Sequence, residues 1–509
     1  MAELTDRPFP PGDYPVVVVG SGPGALQVSY SLRSFGVRHA VISADQLPGG
    51  MFRRWPFFQR LLSWTKPFAP VEHGTTAYER WDWNSLLAEE PDARSIQPGL
   101  MDGSSSFPSR PEMELNLRTF AERTRIAIRY GVQWTGTRRE GERFVLETSD
   151  GEYRCQHPIF AVGVAQPWRP DSPGMDLVAH YADTRPADTY AGKRIFIIGK
   201  QNSGFELASG LLQWARGIVL ASPSPAKLSV NTNSLAGIRA RYLQPVEDHA
   251  IGGGVGMLDA AIESVERSGQ AFRVKIRRTD TSAELSVEAD EVIAATGFTS
   301  PLQDLPALGV ATFGQSRLPA LTPFWESATV PGIFFAGTIG QASAGLKKHG
   351  LPANSGAVHG ARYNARTMAR HLATTRFGME VPRPIVAPGD VLPYLLDELT
   401  RGPEVWHQKS YLARVLSVDP AQGVRNEGIL PLAHFLDAGP PNAVAATLEA
   451  DGTSAIYPAI YLRRAGAVSE HLMTPHPLLD YETADARRQL AEILGGIIPS
   501  YAASYAGTR

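Results

Sequence analysis

"VVVVGSGPGALQVSY" runs from Val16 to Tyr30. Four β-branched residues in a row, Val16 to Val19, suit a strand buried on both faces of a parallel sheet. Gly20-Ser21-Gly22-Pro23-Gly24-Ala25 follows, matching the pattern G-x-G-x-x-G/A. The first glycine permits the tight strand-to-helix turn, and the second lets the backbone approach a pyrophosphate with no Cβ in the way. The third small residue lets helix and strand pack closely. A helix expected over Leu26 to about Phe35 aims its first N–H groups at the phosphates, and Gly36 ends it. "HAVIS" then reads as the second strand. The acidic residue that holds a ribose hydroxyl is expected at its end, where the sequence has Ser43, with Asp45 two residues on. Strand, glycine loop and helix in this order predict dinucleotide binding through Gly20, Ser21, Gly22, Pro23 and Gly24.

A second copy lies about 180 residues downstream. "KRIFIIGKQNSGFELASGLL" gives a strand at Arg194 to Ile198, a turn at Gly199 and a helix from about Asn202. Its loop reads Gly199-Lys200-Gln201-Asn202-Ser203-Gly204, with Gln201 in place of the second glycine. Asn202 and Ser203 stand at the helix start, where an amide and a hydroxyl can reach a phosphate or a nicotinamide. The next strand, "GIVLAS", ends without Asp or Glu; Ser222, Ser224 and Lys227 tolerate a 2′-phosphate, which favours NADPH over NADH. Two such folds suggest that one holds a flavin dinucleotide and the other a nicotinamide. "ADEVIAATGFTSP" (Ala289 to Pro301) and "HPIFAVGVAQPWRP" (His157 to Pro170) read as the crossings between the domains. "PGIFFAGTIG" places Gly337 against the ribityl–phosphate chain. The helix expected over Ala353 to Leu372 points its positive end at the flavin ring.

Composition sets the outer bounds. The 509 residues are 43% hydrophobic and 20% charged, with a formal net charge of −2. That is a multi-domain globular composition, and it gives no electrostatic reason to expect nucleic acid as a partner. The one cysteine, Cys155, excludes a redox pair or a cysteine-rich metal site within this sequence. "MAELTDRPFPPGDY" has no signal-peptide pattern, and no apolar run approaches the roughly 20 residues that span a bilayer. The expectation is a cytoplasmic protein with no membrane partner and no metal.

The chain resembles the two-dinucleotide-domain flavoproteins, and among them the class B flavin-dependent monooxygenases, which include flavin-containing and N-hydroxylating enzymes. The resemblance covers about residues 14 to 375. It rests on Gly20 to Ala25, "LPGGMF" (Leu47 to Phe52), "FPSRPEMELNLRTFAERT" (Phe107 to Thr124), Gly199 to Gly204 and "ATGF". Gly50 and Met51 of the Gly-Gly segment join the cofactor residues on this ground. The family pattern F-x-G-x-x-x-H is only echoed by "SPGMDLVAHYAD", where Gly174 and His180 stand two residues too far apart. The resemblance implies a glutathione-reductase-like α/β arrangement of two Rossmann-like domains. Its division here would be an FAD-binding domain over 1–165 and 291–380, an NADPH-binding domain over 166–290 and a small C-terminal α+β appendage over 381–509. It also implies an NADPH-reduced, FAD-dependent monooxygenase that oxygenates nitrogen or sulfur of a small molecule with dioxygen, through a C4a-hydroperoxyflavin. Two other readings stay open: an NADPH-dependent reductase without a redox cysteine pair, and a flavin-binding sensor or scaffold whose second loop is degenerate.

The segment "RRWPFFQRLLSWTKPFAPVEHG" (Arg53 to Gly74) interleaves aromatic and basic residues. In the resembled family this region runs beside the flavin ring. Trp64 would exclude water there, and Lys66 would hold a substrate carboxylate or the NADPH phosphates. Arg239 and Arg241 are candidates to clamp a 2′-phosphate or an acidic substrate. "IGGGVGM" (Ile251 to Met257) reads as a flexible lid or linker. After residue 380 the sequence reads as a helix, paired strands around Asp451-Gly452, and a last helix. This extension is expected to cover the site, form a homodimer interface or bind a carrier partner, and the sequence leaves these three open.

Overall fold

The computed structural model describes residues 7–54, 60–229, 237–342, 345–346, 348–351, 353–419, 421–451, 453 and 455–501. Trp55, Phe57, Phe58 and Gly452 lie outside the described residues.

Strand β1 (Gly12–Val19) is the centre of the first sheet. Its valines are between 0% and 5% exposed, because parallel neighbours and helices cover both faces. Strand β2 (His39–Ser43) pairs with it in parallel, Val16 against His39 and Val19 against Ile42. On the other side Gly151–Phe160 pairs in parallel, Val19 against Phe160. Phe334–Phe335 continues that parallel layer, Phe335 against Phe160. Arg143–Thr148 and Trp134–Glu140 extend the sheet antiparallel. Helix α1 spans Pro23–Ser34, two residues earlier than the apolar pattern alone suggests, because Pro23 suits the first turn of a helix.

The second sheet has seven strands, and Arg194–Ile198 lies near its middle. Gly217–Ser222 and Glu291–Ala294 flank that strand in parallel. The glycines of "IGGGVGM" do not form a lid. Gly252 and Gly253 turn the chain from helix Ala240–Ile251 into strand Val255–Ser268, which pairs in parallel with Gly217–Ser222. The turn is a helix-to-strand connection of the nucleotide fold, and its glycines were misread because the strand after it is polar on one face.

Between the two sheets the chain crosses twice, and the crossings pair as a short antiparallel ribbon, Phe298 against Pro167 and Thr299 against Gln166. His180 is fully buried beside it. It accepts from Ala182 N at Nδ1 (3.1 Å), so Nε2 donates to the Gly297 carbonyl (3.0 Å). This ties the ribbon to the second sheet, and His180 serves structure there.

The C-terminal part is an α+β unit. It contains a six-stranded antiparallel sheet, ordered Ile385–Val386, Gly423–Pro431, Leu412–Asp419, Ala443–Ala450, Ile456–Arg464 and Ala467–Leu472. Helices Val391–Arg401 and Ala484–Leu494 cover one face and share its apolar core.

Candidate functional site

Glycines from three chain segments meet at the end of β1. Gly20 has φ of 129°, and a Cβ there would stand 2.6 Å from the Ala161 carbonyl oxygen. Gly24 opens α1 against Gly337, where a Cβ would lie 2.5 Å from the Gly337 Cα. Gly24 thus takes the close contact between α1 and the chain at Gly337, while Ala25, the third small residue of the pattern, is fully buried beside it. Gly22 differs: around its Cβ position the nearest atom is the Gly50 Cα at 3.9 Å, so that side of the loop is open. Gly50 has φ of 56° and leads into the short helix Met51–Arg54, while Gly49 N donates to the Ser21 carbonyl (3.0 Å). Three chain segments thus meet backbone to backbone around the first N–H groups of α1, which is the shape that a pyrophosphate requires.

The polar residues at the end of β2 form a chain. Ser43 Oγ donates to Ser21 Oγ (2.9 Å), and Ser21 Oγ donates to Asp45 Oδ2 (2.9 Å). Asp45 N in turn donates to Ser43 Oγ (3.2 Å). The acidic group of this fold is therefore Asp45, displaced two residues and aimed back at the loop by two buried serines.

The second cradle shares the first one's backbone. Gly199 has φ of 120° and no room for a Cβ beside the Ala295 carbonyl, 2.4 Å away; Gly204 packs on the Gly199 carbonyl. Gln201 caps helix Asn202–Leu211 in an extended conformation and is exposed, so its side chain stays clear of the loop interior. Asn202 Nδ2 donates to the Gly237 carbonyl (3.0 Å) and its Oδ1 accepts from Arg239 N (2.9 Å), so the amide ties a neighbouring loop to the helix start and keeps its second N–H. Ser203 hydrogen-bonds the buried Tyr181 phenol. Ser222 lies at the strand end and donates to the Ser224 carbonyl (3.3 Å).

The strand end is also less neutral than the sequence implies. The parallel neighbour brings Asp259 directly opposite Ser222. The buried Lys200 ammonium pairs with its carboxylate. Lys200 thus cancels the charge that would repel a 2′-phosphate. Lys200 stands in the loop motif itself, but its partner Asp259 is not visible as part of it, lying 37 positions from Ser222 in the sequence.

The 60s segment and the C-terminal part meet at the start of helix Val358–Arg376. Thr65 and Asp82 pair as a β-bridge, with Thr65 Oγ1 donating to Asp82 Oδ1 (2.8 Å). That bridge stacks Trp64 on Trp83, ring centroids 4.4 Å apart. Trp83 stacks on His359 at 4.2 Å, and His359 lies 5.1 Å from His407. His359 is 1% exposed, and both its ring nitrogens lack a hydrogen-bond partner. Burial, then Arg362, Lys409 and Arg239, keep its imidazole neutral well below its ordinary pKa. Lys66 does not join this row. It is exposed, its ammonium resting over the Trp64 and Trp81 rings at 5.1 and 4.7 Å. Arg241 also serves structure: it donates to the Arg60 carbonyl (2.8 Å) and lies over the Phe107 ring, stapling the second nucleotide fold to the first. His359 and His407 were missed as a pair because 47 residues separate them in the sequence.

Residues 17–337 match the pyridine nucleotide-disulphide oxidoreductase family. The chain is 26% identical over 399 residues to the mouse FAD-dependent oxidoreductase domain-containing protein 2, across 72% of this chain and 58% of that protein. It thus spans little more than half the length of that curated relative. Among solved structures it is similar to the bacillithiol disulfide reductase Bdr (YpdA) from Staphylococcus aureus (TM-score 0.56, 16% identity, 71% of this chain and 99% of that one). It is also similar to a flavin-containing monooxygenase from Stenotrophomonas maltophilia (TM-score 0.53, 20% identity, 72% and 99%). Both share the two-sheet α/β fold described above. The match covers both glycine cradles and the ribbon between them, and by it the chain belongs to the pyridine nucleotide-disulphide oxidoreductase family.

Proposed function

We propose that the chain is an NADPH-reduced, FAD-dependent monooxygenase that oxygenates a nitrogen or sulfur atom of a small molecule. The observation that carries this reading is the aromatic row Trp64–Trp83–His359, two half-buried indoles on a buried imidazole at the start of helix Val358–Arg376, in a chain with a single, buried cysteine. Burial pushes the Cys155 thiol up, so it is not a nucleophile, and one cysteine cannot form a redox pair within this sequence.

The cofactors are FAD and NADPH, and the residues present fit them. In the first cradle Gly20 and Pro23 shape the turn, the N–H groups of Ser21, Gly22, Gly24, Gly50, Met51 and Gly337 surround the space for a pyrophosphate, and Asp45 accepts from ribose hydroxyls. In the second, Gly199, Gly204 and the N–H groups of Gln201, Asn202 and Ser203 take the nicotinamide dinucleotide, with Ser222 and the Lys200–Asp259 pair at its 2′ position. FAD, once bound and reduced, supplies the hydride and oxygen chemistry. The residues of this chain do the rest. The start of helix Val358–Arg376 stabilises negative charge in front of it. Trp64 and Trp83 exclude water, which favours oxygen transfer over release of peroxide. His359 holds one proton between two otherwise unpartnered nitrogens beside that row.

The test is a coupled assay with thioanisole and a tertiary amine under ¹⁸O₂. The proposal expects NADPH oxidation with ¹⁸O in the sulfoxide or N-oxide and little peroxide. NADPH oxidation that reduces ferricyanide or a ferredoxin without ¹⁸O incorporation would replace it with a reductase. A flavin that NADPH does not bleach would replace it with a sensor.

A further inference from the structure

Helix Val358–Arg376 has a second functional face, turned toward the C-terminal sheet. A cavity of ≈ 320 Å³ opens there, between Phe324, the helix, the linker around Arg383, strand Gly423–Pro431 and helix Leu432–Ala438. Arg370 projects into it through a gap that strand residue Gly428 leaves open; a Cβ on Gly428 would stand 2.1 Å from Arg370 Nη1. That nitrogen donates to the Glu427 carbonyl oxygen. Among the described residues no carboxylate lies within ion-pair distance of Arg370, so its charge and its remaining N–H groups face the cavity. The single carboxylate in the wall, that of Glu427, is already taken by Arg383 and by Ser417 Oγ (2.5 Å).

Two imidazoles complete the polar side. His371 lies flat on the Phe324 ring, centroids 3.8 Å apart and planes 7° from parallel. His434 meets the same ring at 4.8 Å and 64°. Neither imidazole has a hydrogen-bond partner among the described residues. The opposite wall is apolar, from Val381, Ile429 and Leu430. One unpaired cation, two idle imidazoles and an apolar wall form a built recognition site. A single guanidinium fork matches one carboxylate in geometry and charge, whereas a dianion would be left undercompensated.

We propose that this cavity binds a small organic monoanion, a carboxylate on an apolar body, with Arg370 holding the carboxylate and His371 and His434 donating to it. The site is separate from both nucleotide cradles and joins the oxidoreductase fold to the C-terminal sheet. Other charged groups that face it are Arg376, which pairs with Glu326 (3.0 Å), and Asp437 and Arg463 near His434. Burial, then Arg376 and His434, push the His371 pKa down to about 4. Both imidazoles are therefore neutral near pH 7, and a bound carboxylate favours their protonated forms. Binding takes up protons and tightens as pH falls below neutrality.

Isothermal titration of the FAD-loaded chain with benzoate, acetate and inorganic phosphate tests this. The expected order is benzoate first, with affinity in about the millimolar range or tighter. Proton uptake would be read from buffers of different ionisation enthalpy. Arg370→Gln weakens benzoate about tenfold or more, corresponding to one lost charged hydrogen-bond pair. Its FAD content and benzoate-free NADPH oxidation match the wild type. His434→Phe retains binding but flattens the pH dependence, and it stands in should the arginine variant fail to fold. No benzoate heat in the wild type, equal affinity in Arg370→Gln, a pH-independent His434→Phe difference, or phosphate binding tighter than benzoate would each overturn the proposal.

Discussion

Gly22 and Gly24 stand two residues apart in one loop, and a methyl group on each meets a different fate. On Gly24 it would collide with the backbone of Gly337 at 2.5 Å, and neither segment is a flexible side-chain tip that can swing away. Gly24→Ala is expected to cost the folded chain about 1–3 kcal/mol, as overpacking does, and to yield protein depleted of flavin. On Gly22 the methyl group has its first neighbour at 3.9 Å and the backbone is extended, with φ of −77°. Gly22→Ala therefore leaves the thermal midpoint of the flavin-free protein unchanged and weakens only FAD binding. Equal loss of apo-protein stability in both variants would remove the distinction. His359 gives a second residue-scale prediction. His359 and His407 are both buried and held neutral, their pKa values well below the usual imidazole range; burial is the main cause for each. An imidazole in the unfolded chain titrates near 6.5. The folded state takes up no proton at these two sites as pH falls through that value, so stability present above it is lost below it. At pH 5.5 each histidine removes about 1.4 kcal/mol. Urea unfolding at pH 7 and 5.5 measures the loss, and His359→Phe should shrink it by about that amount.

At the scale of elements, the strand–loop–helix units were legible because each carries its own chemistry in sequence: a β-branched run, glycines where φ is positive, and a small residue at a close contact. Arg194–Ile198 and Gly217–Ser222 could be read for the same reason. The partners that complete each unit could not. Asp259 faces Ser222 only through parallel strand register, and Trp83 reaches Trp64 only through the Thr65–Asp82 bridge. Strands Leu412–Asp419 and Gly423–Pro431 escaped notice too, since a bulge at Val415/Leu416 breaks their alternation. The loop just before helix Val358–Arg376 shows what such partners do. Lys348 reaches the C-terminal sheet and is held there by Glu449 (3.1 Å), by Glu470 and by the Tyr461 hydroxyl (2.7 Å). The Glu449 side chain is 1% exposed, so Lys348→Met leaves a buried carboxylate without its cation. Removing one partner of a buried pair costs about 3 kcal/mol. Hydrogen exchange should show faster exchange in residues 345–351 and in strand Ala443–Ala450, and the double variant Lys348→Met/Glu449→Gln should recover most of the loss. Unchanged exchange in the single variant would mean that the clamp does not hold the loop.

For the molecule as a whole, the contrast lies between two kinds of junction. The second nucleotide fold is joined by a two-residue ribbon, by His180 and by Arg241. The C-terminal part is joined through buried charge. Arg366 pairs with Glu404, which is 4% exposed; Arg362 donates to the Glu79 and Ser85 carbonyls; the Tyr363 hydroxyl donates to the Glu79 carboxylate (2.7 Å). Burial raises the Glu79 pKa; at Glu404 burial works against ionisation, but Arg366 and Arg414 outweigh it and hold the carboxyl below its ordinary value. Such a network has value only when every member is present, so the first sheet and the C-terminal sheet are expected to unfold together. Glu404→Gln leaves the half-buried Arg366 charge without its carboxylate and should lower their shared transition by about 1–3 kcal/mol, less than a fully buried pair because Arg366 keeps some contact with water. FAD release, read by flavin fluorescence, and loss of C-terminal structure, read by hydrogen exchange in Leu412–Asp419, should shift by the same amount. NADP⁺ should raise the midpoint of the second nucleotide fold and leave that shared transition in place. If FAD release keeps its wild-type midpoint while the C-terminal strands exchange early, the two parts are not one cooperative unit, and the buried ion pairs only fix their orientation.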